Sequence, residues 1–224
     1  MKKTKKKMDI VYEDKELLVI NKLAHLLTIA TKNEKEHTLY HEVREYIYKK
    51  NQKVFIVHRL DKDTSGIVLF SKNDSLKRVL QDNWNSISTR EYIAVVEGKM
   101  EQDKGTIKSY LAENKGYEVY VSDQKNGKLA ITNYEVLQKN KAYSLVKIFI
   151  KTGRKNQIRC QFDSINHPVV GDKKYNSKTN PFNRLGLHAT KLNIINPMNK
   201  KEYEFISPYP KVFDNLFINK KDSR

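Results

Sequence analysis

The chain has 224 residues, with 43 Lys or Arg against 26 Asp or Glu and a formal net charge of +17. That length fits one domain or a domain with a small appendage, and 38% hydrophobic residues, gathered in short runs, suffice for a core. A pI near 9.7 points to a polyanionic partner, nucleic acid being the usual one, although a composition bias toward Lys and Asn would raise the same number.

A single cysteine, Cys160, excludes an internal disulfide and suits a reducing cytoplasm. No apolar run reaches the roughly 18 residues that a membrane span needs. Residues 1–8 hold five lysines and one threonine, with no apolar stretch behind them. This is not a secretory signal; residues 1–9 are expected to form a disordered basic arm that attracts phosphate nonspecifically. Residues 217–224 read as a polar tail.

In chain order, residues 10–12 and 17–20 read as short strands around a polar turn at 13–16. Residues 38–50 read as a helix, with Leu39, Val43, Tyr46 and Ile47 at helical spacing. Residues 54–57 and 67–70 are buried-strand signals, and the polar segment 58–66 between them must be a loop. Leu76, Val79, Leu80 and Trp84 mark a second amphipathic helix, and residues 92–96 a strand ending at Gly98. Residues 117–121 and 130–136 read as a hairpin around Asn126-Gly127, a strong turn dipeptide. Residues 144–151 alternate as a strand does. Residues 156–164 read as a short helix stopped by Asn166-His167-Pro168, and the segment through Pro208 and Pro210 as extended or turn-like. Residues 10–216 show no repeat, linker or composition shift. They are expected to form one α+β domain around a mixed, largely antiparallel sheet.

The loop at 58–66 carries the chemistry. Its sequence is His58-Arg59-Leu60-Asp61-Lys62-Asp63-Thr64-Ser65-Gly66. A carboxylate and a guanidinium sit between two core strands, with Thr, Ser and Gly to shape the backbone. From residue types alone, an ordinary turn capped by Asp61 or Asp63 competes with a catalytic carboxylate.

On this loop the chain resembles the RluA-type pseudouridine synthases, whose signature His-Arg-Leu-Asp-x-x-Thr-Ser-Gly is present at every fixed position. The resemblance extends in the right order. Residues 10–22 resemble the family's opening strands, and Arg90-Glu91-Tyr92 through Gly98 its second motif. Thr152-Gly153-Arg154-Lys155-Asn156-Gln157-Ile158-Arg159 resembles its third. His167-Pro168, Gly171-Asp172-Lys173-Lys174-Tyr175, Leu187-His188-Ala189 and Phe205-Ile206-Ser207-Pro208 complete it, covering about residues 10–216. Departures from the family pattern are Leu23 for Pro, Lys155-Asn156 for a small hydroxyl residue and His, Gln161 for His, and Asn176 for Gly. The resemblance implies a single catalytic domain with a bent mixed sheet and a deep RNA cleft. With only about ten residues ahead of the first strand, it also implies a member lacking the small S4-like RNA-binding domain.

The same resemblance implies the roles. Asp61 is the essential carboxylate, acting as nucleophile or base, and Arg159 the cation that keeps it ionised. Tyr92 stacks on the flipped uracil, and Leu187 packs on its other face or simply fills the core. Arg59 takes the space that the extruded uridine leaves. Arg154, Lys155 and Gln157 contact phosphate or sugar, and His58 and His188 hold the site together. The isomerisation needs no oxidant and no cofactor, and no zinc-like Cys/His cluster occurs; His37 and His41 lack a third ligand in register. RNA, ribosomal or transfer, is the expected partner of a monomer that needs no protein partner. Two rival readings are a noncatalytic RNA-binding module and a metal-dependent nuclease, for which Asp61 and Asp63 supply too few acidic ligands.

Overall fold

The computed structural model describes residues 8–218. Most of the basic arm expected at 1–9 and of the tail expected at 217–224 lies outside the described residues. The chain divides into two compact units, Met1–Ser88 with Leu192–Ser207, and Thr89–Lys191 with Pro208–Arg224.

In the first unit, β1 (Ile10–Glu13) pairs antiparallel with β2 (Leu17–Lys22), and β2 with β4 (Ser65–Ser71). Every residue of β4 is buried, which is why its apolar run shows no alternation. The register sets Lys22 opposite Gly66, beside the loop. The expected strand at 54–57 reduces to β3 (Phe55–Ile56), paired with β4. Val54 and Val57 bury their side chains without joining the ladder. Helix α1 (Leu39–Tyr48) opens on Thr38, whose hydroxyl accepts the His41 N–H at 3.1 Å. Helix α2 (Asp74–Asp82) is capped by Asn73 and packs Leu76 and Leu80 inward. It breaks at Asn83, and Trp84 falls in a separate short helix, α3 (Trp84–Ile87). Leu17, Val19, Leu69 and Leu76 share a core with Leu192, Ile194 and Phe205.

In the second unit, β5 (Ser88–Glu97, beginning at Thr89 here) pairs with β9 (Tyr143–Ile150), β9 with β8 (Lys128–Lys139), β8 with β6 (Lys104–Glu113) and β6 with β7 (Val119–Ser122), all antiparallel. The expected hairpin is corrected here. β7 and β8 do not pair with each other; both pair with β6, one on each side. The turn itself is real, closed by the Gly127 N–H on the Asp123 carbonyl at 2.9 Å, but it carries the chain across β6. β6 escapes sequence reading because only Ile107 and Leu111 along it are buried, a spacing of four rather than two. Helix α4 (Gln157–Ser164) ends as expected. Asn166 adopts a left-handed φ of 61°, while the His167 and Asn166 N–H groups close on Phe162 and Asp163. β10 (Leu187–Ile195) contributes its first residues to the second unit and its last to the first, where β11 (Glu202–Ile206) pairs with it. Few helices and antiparallel strand pairs make the architecture α+β, as expected.

Among the described residues no helix is long and apolar enough to cross a membrane. No group of three or more His, Cys, Asp or Glu side chains there is arranged to hold a metal.

The first unit is also tied by charge. Glu13 accepts from Lys50 at 2.8 Å, Lys72 at 2.6 Å and the Tyr46 hydroxyl at 2.6 Å. Burial pushes its carboxyl up, but the hydrogen bonds from Lys50, Lys72 and Tyr46 outweigh it and bring the pKa down from 4.5 to about 2. A depressed carboxylate stabilises the fold above its unfolded value and loses that contribution as pH falls through its folded value. Glu13→Gln should therefore lower the unfolding temperature at pH 7. The gap to the unmodified protein should close between about pH 4.5 and 2, as thermal unfolding at stepped pH would record.

Candidate active site

Asp61 lies half-buried in the turn between β3 and β4, closed by the Thr64 N–H on the Asp61 carbonyl at 3.2 Å. Both of its neighbours are clamped through the main chain. On one side the buried Thr28 hydroxyl accepts the Leu60 N–H at 3.2 Å and donates to the Leu60 carbonyl at 2.7 Å. On the other, Lys22, only 1% exposed, points its ammonium at the Lys62 carbonyl, 3.0 Å away. The same ammonium donates to the carbonyls of Leu23 at 2.9 Å and Leu26 at 2.7 Å. A buried ammonium needs such partners, because each donor left unmet keeps the full cost of desolvation. Gly66 follows with φ 113°, a conformation L side chains rarely adopt.

The remaining loop residues have separate surroundings. The His58 ring accepts the Leu69 N–H through Nε2 at 3.0 Å and stacks on Trp84 at 4.7 Å between centroids. Asp63 faces His25, 3.0 Å away at the surface. Arg59 is exposed.

In the second unit, the β5–β9 register sets Arg90 opposite Ile150 and Tyr92 opposite Ile148, one strand from the run into residues 152–157. Tyr92 is buried. A Cβ on Gly153 would lie 2.9 Å from Nη1 of Arg90, so the missing side chain makes room for that guanidinium. Gln157 is buried. Its amide oxygen accepts from the Thr152 hydroxyl and the Arg154 N–H, and its amide nitrogen donates to Ile131 and Thr132. These bonds brace the turn ahead of α4. Arg154 and Lys155 stay exposed, Arg154 donating to the Leu129 carbonyl and Lys155 reaching Glu113.

Arg159 forms a bidentate pair with Asp172, Nε to Oδ2 at 2.6 Å and Nη2 to Oδ1 at 2.8 Å, with the Asp172 side chain 1% exposed. Nη1 donates to the Asn156 amide oxygen at 3.1 Å, and the guanidinium lies 5.1 Å from the centre of the Tyr175 ring. Tyr175 donates to the Val119 carbonyl and accepts from Asn156; burial is the main cause that lifts its hydroxyl to about 12. Asn156 holds a left-handed φ of 52°, which asparagine tolerates well. Gly171, at φ 77°, is equally committed, since a Cβ there would lie 2.3 Å from the Arg184 carbonyl. Gln161, fully buried, is bound to Thr132, Ile107, Ser109 and Ala130. Asn156 and Gln161 thus both bond within the protein. Leu187 and His188 are buried on β10, and Arg184 donates to the Leu187 carbonyl at 3.3 Å.

Thr28 and Lys22 carry no mark of these roles in the sequence, and the signal of Asp172 is a lone acid between Gly171 and two lysines.

The description "RNA pseudouridylate synthase" belongs to the family model that matches residues 16–164. An uncharacterized RNA pseudouridine synthase of Bacillus subtilis, YhcT, is 33% identical over 215 residues, which are 93% of this chain and 71% of that protein. The ribosomal large subunit pseudouridine synthase D of Salmonella typhimurium is 31% identical over 91% of this chain and 67% of its own length. In fold, the human RNA pseudouridylate synthase domain containing 1 protein superposes with a TM-score of 0.78 at 24% identity, covering 96% of this chain and 89% of that one. The chain belongs to the RNA pseudouridylate synthase family, in its RluA-type branch. It is an RNA pseudouridine synthase, an isomerase whose substrate is uridine within RNA.

The clamp on the loop makes a direct prediction. Thr28→Val keeps the shape but leaves the Leu60 N–H and carbonyl without their hydroxyl partner. It should cost about 1–3 kcal/mol, measured as a lower midpoint in urea unfolding.

Proposed function

We propose that the chain converts specific uridines of structured RNA to pseudouridine with Asp61 as the catalytic carboxylate. The observation that carries this reading is the double main-chain clamp, Thr28 on Leu60 and Lys22 on Lys62, which holds the residues on either side of Asp61. A carboxylate that must meet one atom of a flipped base needs such a rigid support.

The reaction breaks the N-glycosidic bond, turns the uracil and rejoins it to the sugar through C5. Asp61 serves it ionised, as nucleophile or base. Arg159 supplies the cationic partner that the family pattern gives this carboxylate, and Asp172 fixes its guanidinium beforehand. Tyr92 stacks on the uracil and Leu187 closes on its other face. Arg59, exposed beside Asp61, fills the space of the extruded nucleotide. Arg154 and Lys155 meet phosphate, while Gln157, His58 and His188 act from inside by holding the backbone. The protein works as a monomer in the cytoplasm, without a cofactor or protein partner. Similarity to synthases named for the large ribosomal subunit favours ribosomal RNA over transfer RNA as the substrate.

Asp61→Asn should abolish conversion and leave RNA binding within a few-fold; turnover by the purified variant would remove Asp61 from its role. Arg59→Ala should slow single-turnover conversion of a structured stem much more than that of a short unstructured RNA, because only the stem must be held open. Equal losses on both would leave Arg59 a phosphate contact.

A further inference from the structure

The turn at 114–118, between β6 and β7, displays a largely exposed tyrosine. Tyr117 is 70% exposed, yet its backbone sits at φ 61°, in the left-handed region. That conformation suits Gly or Asn and strains a bulky side chain. The turn is closed without the ring. The Tyr117 N–H donates to the Asn114 carbonyl at 3.0 Å, and the Glu118 N–H to the Asn114 side chain at 2.9 Å. A strained backbone carrying a ring that stays 70% exposed points to a use outside the molecule.

What surrounds the ring indicates the use. Lys155 donates to the Tyr117 carbonyl at 3.1 Å and lies 5.4 Å from the ring centre. Lys174 reaches the same carbonyl at 3.5 Å. Of the nearby acids, Glu113 is engaged by Lys155 and Glu118 by the Asn114 amide. Lys155 stands one residue before Asn156 and four before Arg159 along the chain.

We propose that Tyr117 is a stacking platform for an unpaired nucleobase of the substrate RNA, outside the reaction centre, with Lys155 and Lys174 serving the adjoining phosphates. An open aromatic face flanked by flexible ammonium groups suits a single-stranded segment. The proposal rests on RNA being the substrate and not on the roles given to Asp61, Tyr92 and Arg159.

Tyr117→Asn tests it, because asparagine relieves the backbone strain while removing the ring. The probes are a ten-nucleotide oligouridylate and an abasic ribose-phosphate strand of equal length, titrated against the full chain. The variant should unfold at the same or a higher temperature and bind oligouridylate about tenfold more weakly, with abasic affinity changed less than twofold. Asp61→Asn in the same titration separates this binding role from the catalytic assignment. Unchanged oligouridylate affinity, equal losses on both strands, or a lowered unfolding temperature would each overturn the stacking role.

Discussion

A buried ammonium organises the first unit. Lys22 ends β2 with its charge removed from water, and three main-chain carbonyls take the place of solvent. Two of them, on Leu23 and Leu26, belong to the segment that follows the strand, and the third belongs to the residue after Asp61. The convergence of these carbonyls helps offset the cost of burying the charge, so the loop and the segment support one another's shape. Thr28 adds a second tie from that segment to the residue before Asp61. The half-buried Asp61 lies between two residues whose main chain is held by Lys22 and Thr28.

The second unit solves a similar problem with a guanidinium. Arg159 is oriented by Asp172 on one flank, by Asn156 on another and by the Tyr175 ring. Asn156 and Tyr175 also bond to each other, so the network closes on itself. A planar fork held bidentately keeps its direction better than a lysine would. Asn156 fits this arrangement, since asparagine tolerates the left-handed backbone and offers both a donor and an acceptor.

The loop at 58–66 was legible in the sequence because it lies between apolar runs and carries a dense motif. α1, α2 and α4 were legible from periodicity and caps. What escaped was pairing and placement. Val54 and Val57 look like strand residues because they are buried, but burial does not decide who joins a ladder. Asn126-Gly127 announces a turn, yet a turn dipeptide is blind to a third strand between its arms. The internal hydrogen bonds of Gln157 were not legible, because residue type does not reveal which carbonyls surround an amide. Lys22 and Thr28 were hidden for the same reason: a lysine in a strongly basic chain carries no mark that it is the buried one.

The two units are interleaved along the chain, and this bears on how the protein is made. Leu192, Ile194 and Phe205 belong to the same core as Leu17 and Leu69, and the whole second unit up to Lys191 is translated between them. The second unit in turn takes Phe213 into its core after the chain has returned to the first. On the ribosome, therefore, the residues around Asp61 emerge early but wait for more than half the chain before their apolar face is covered. Neither unit corresponds to a contiguous stretch that synthesis could complete and leave behind. Such long-range closure slows folding and exposes apolar strands in the nascent state. A ribosome stalled near Lys191 would hold an Asp61 loop already translated over a core still missing Leu192, Ile194 and Phe205.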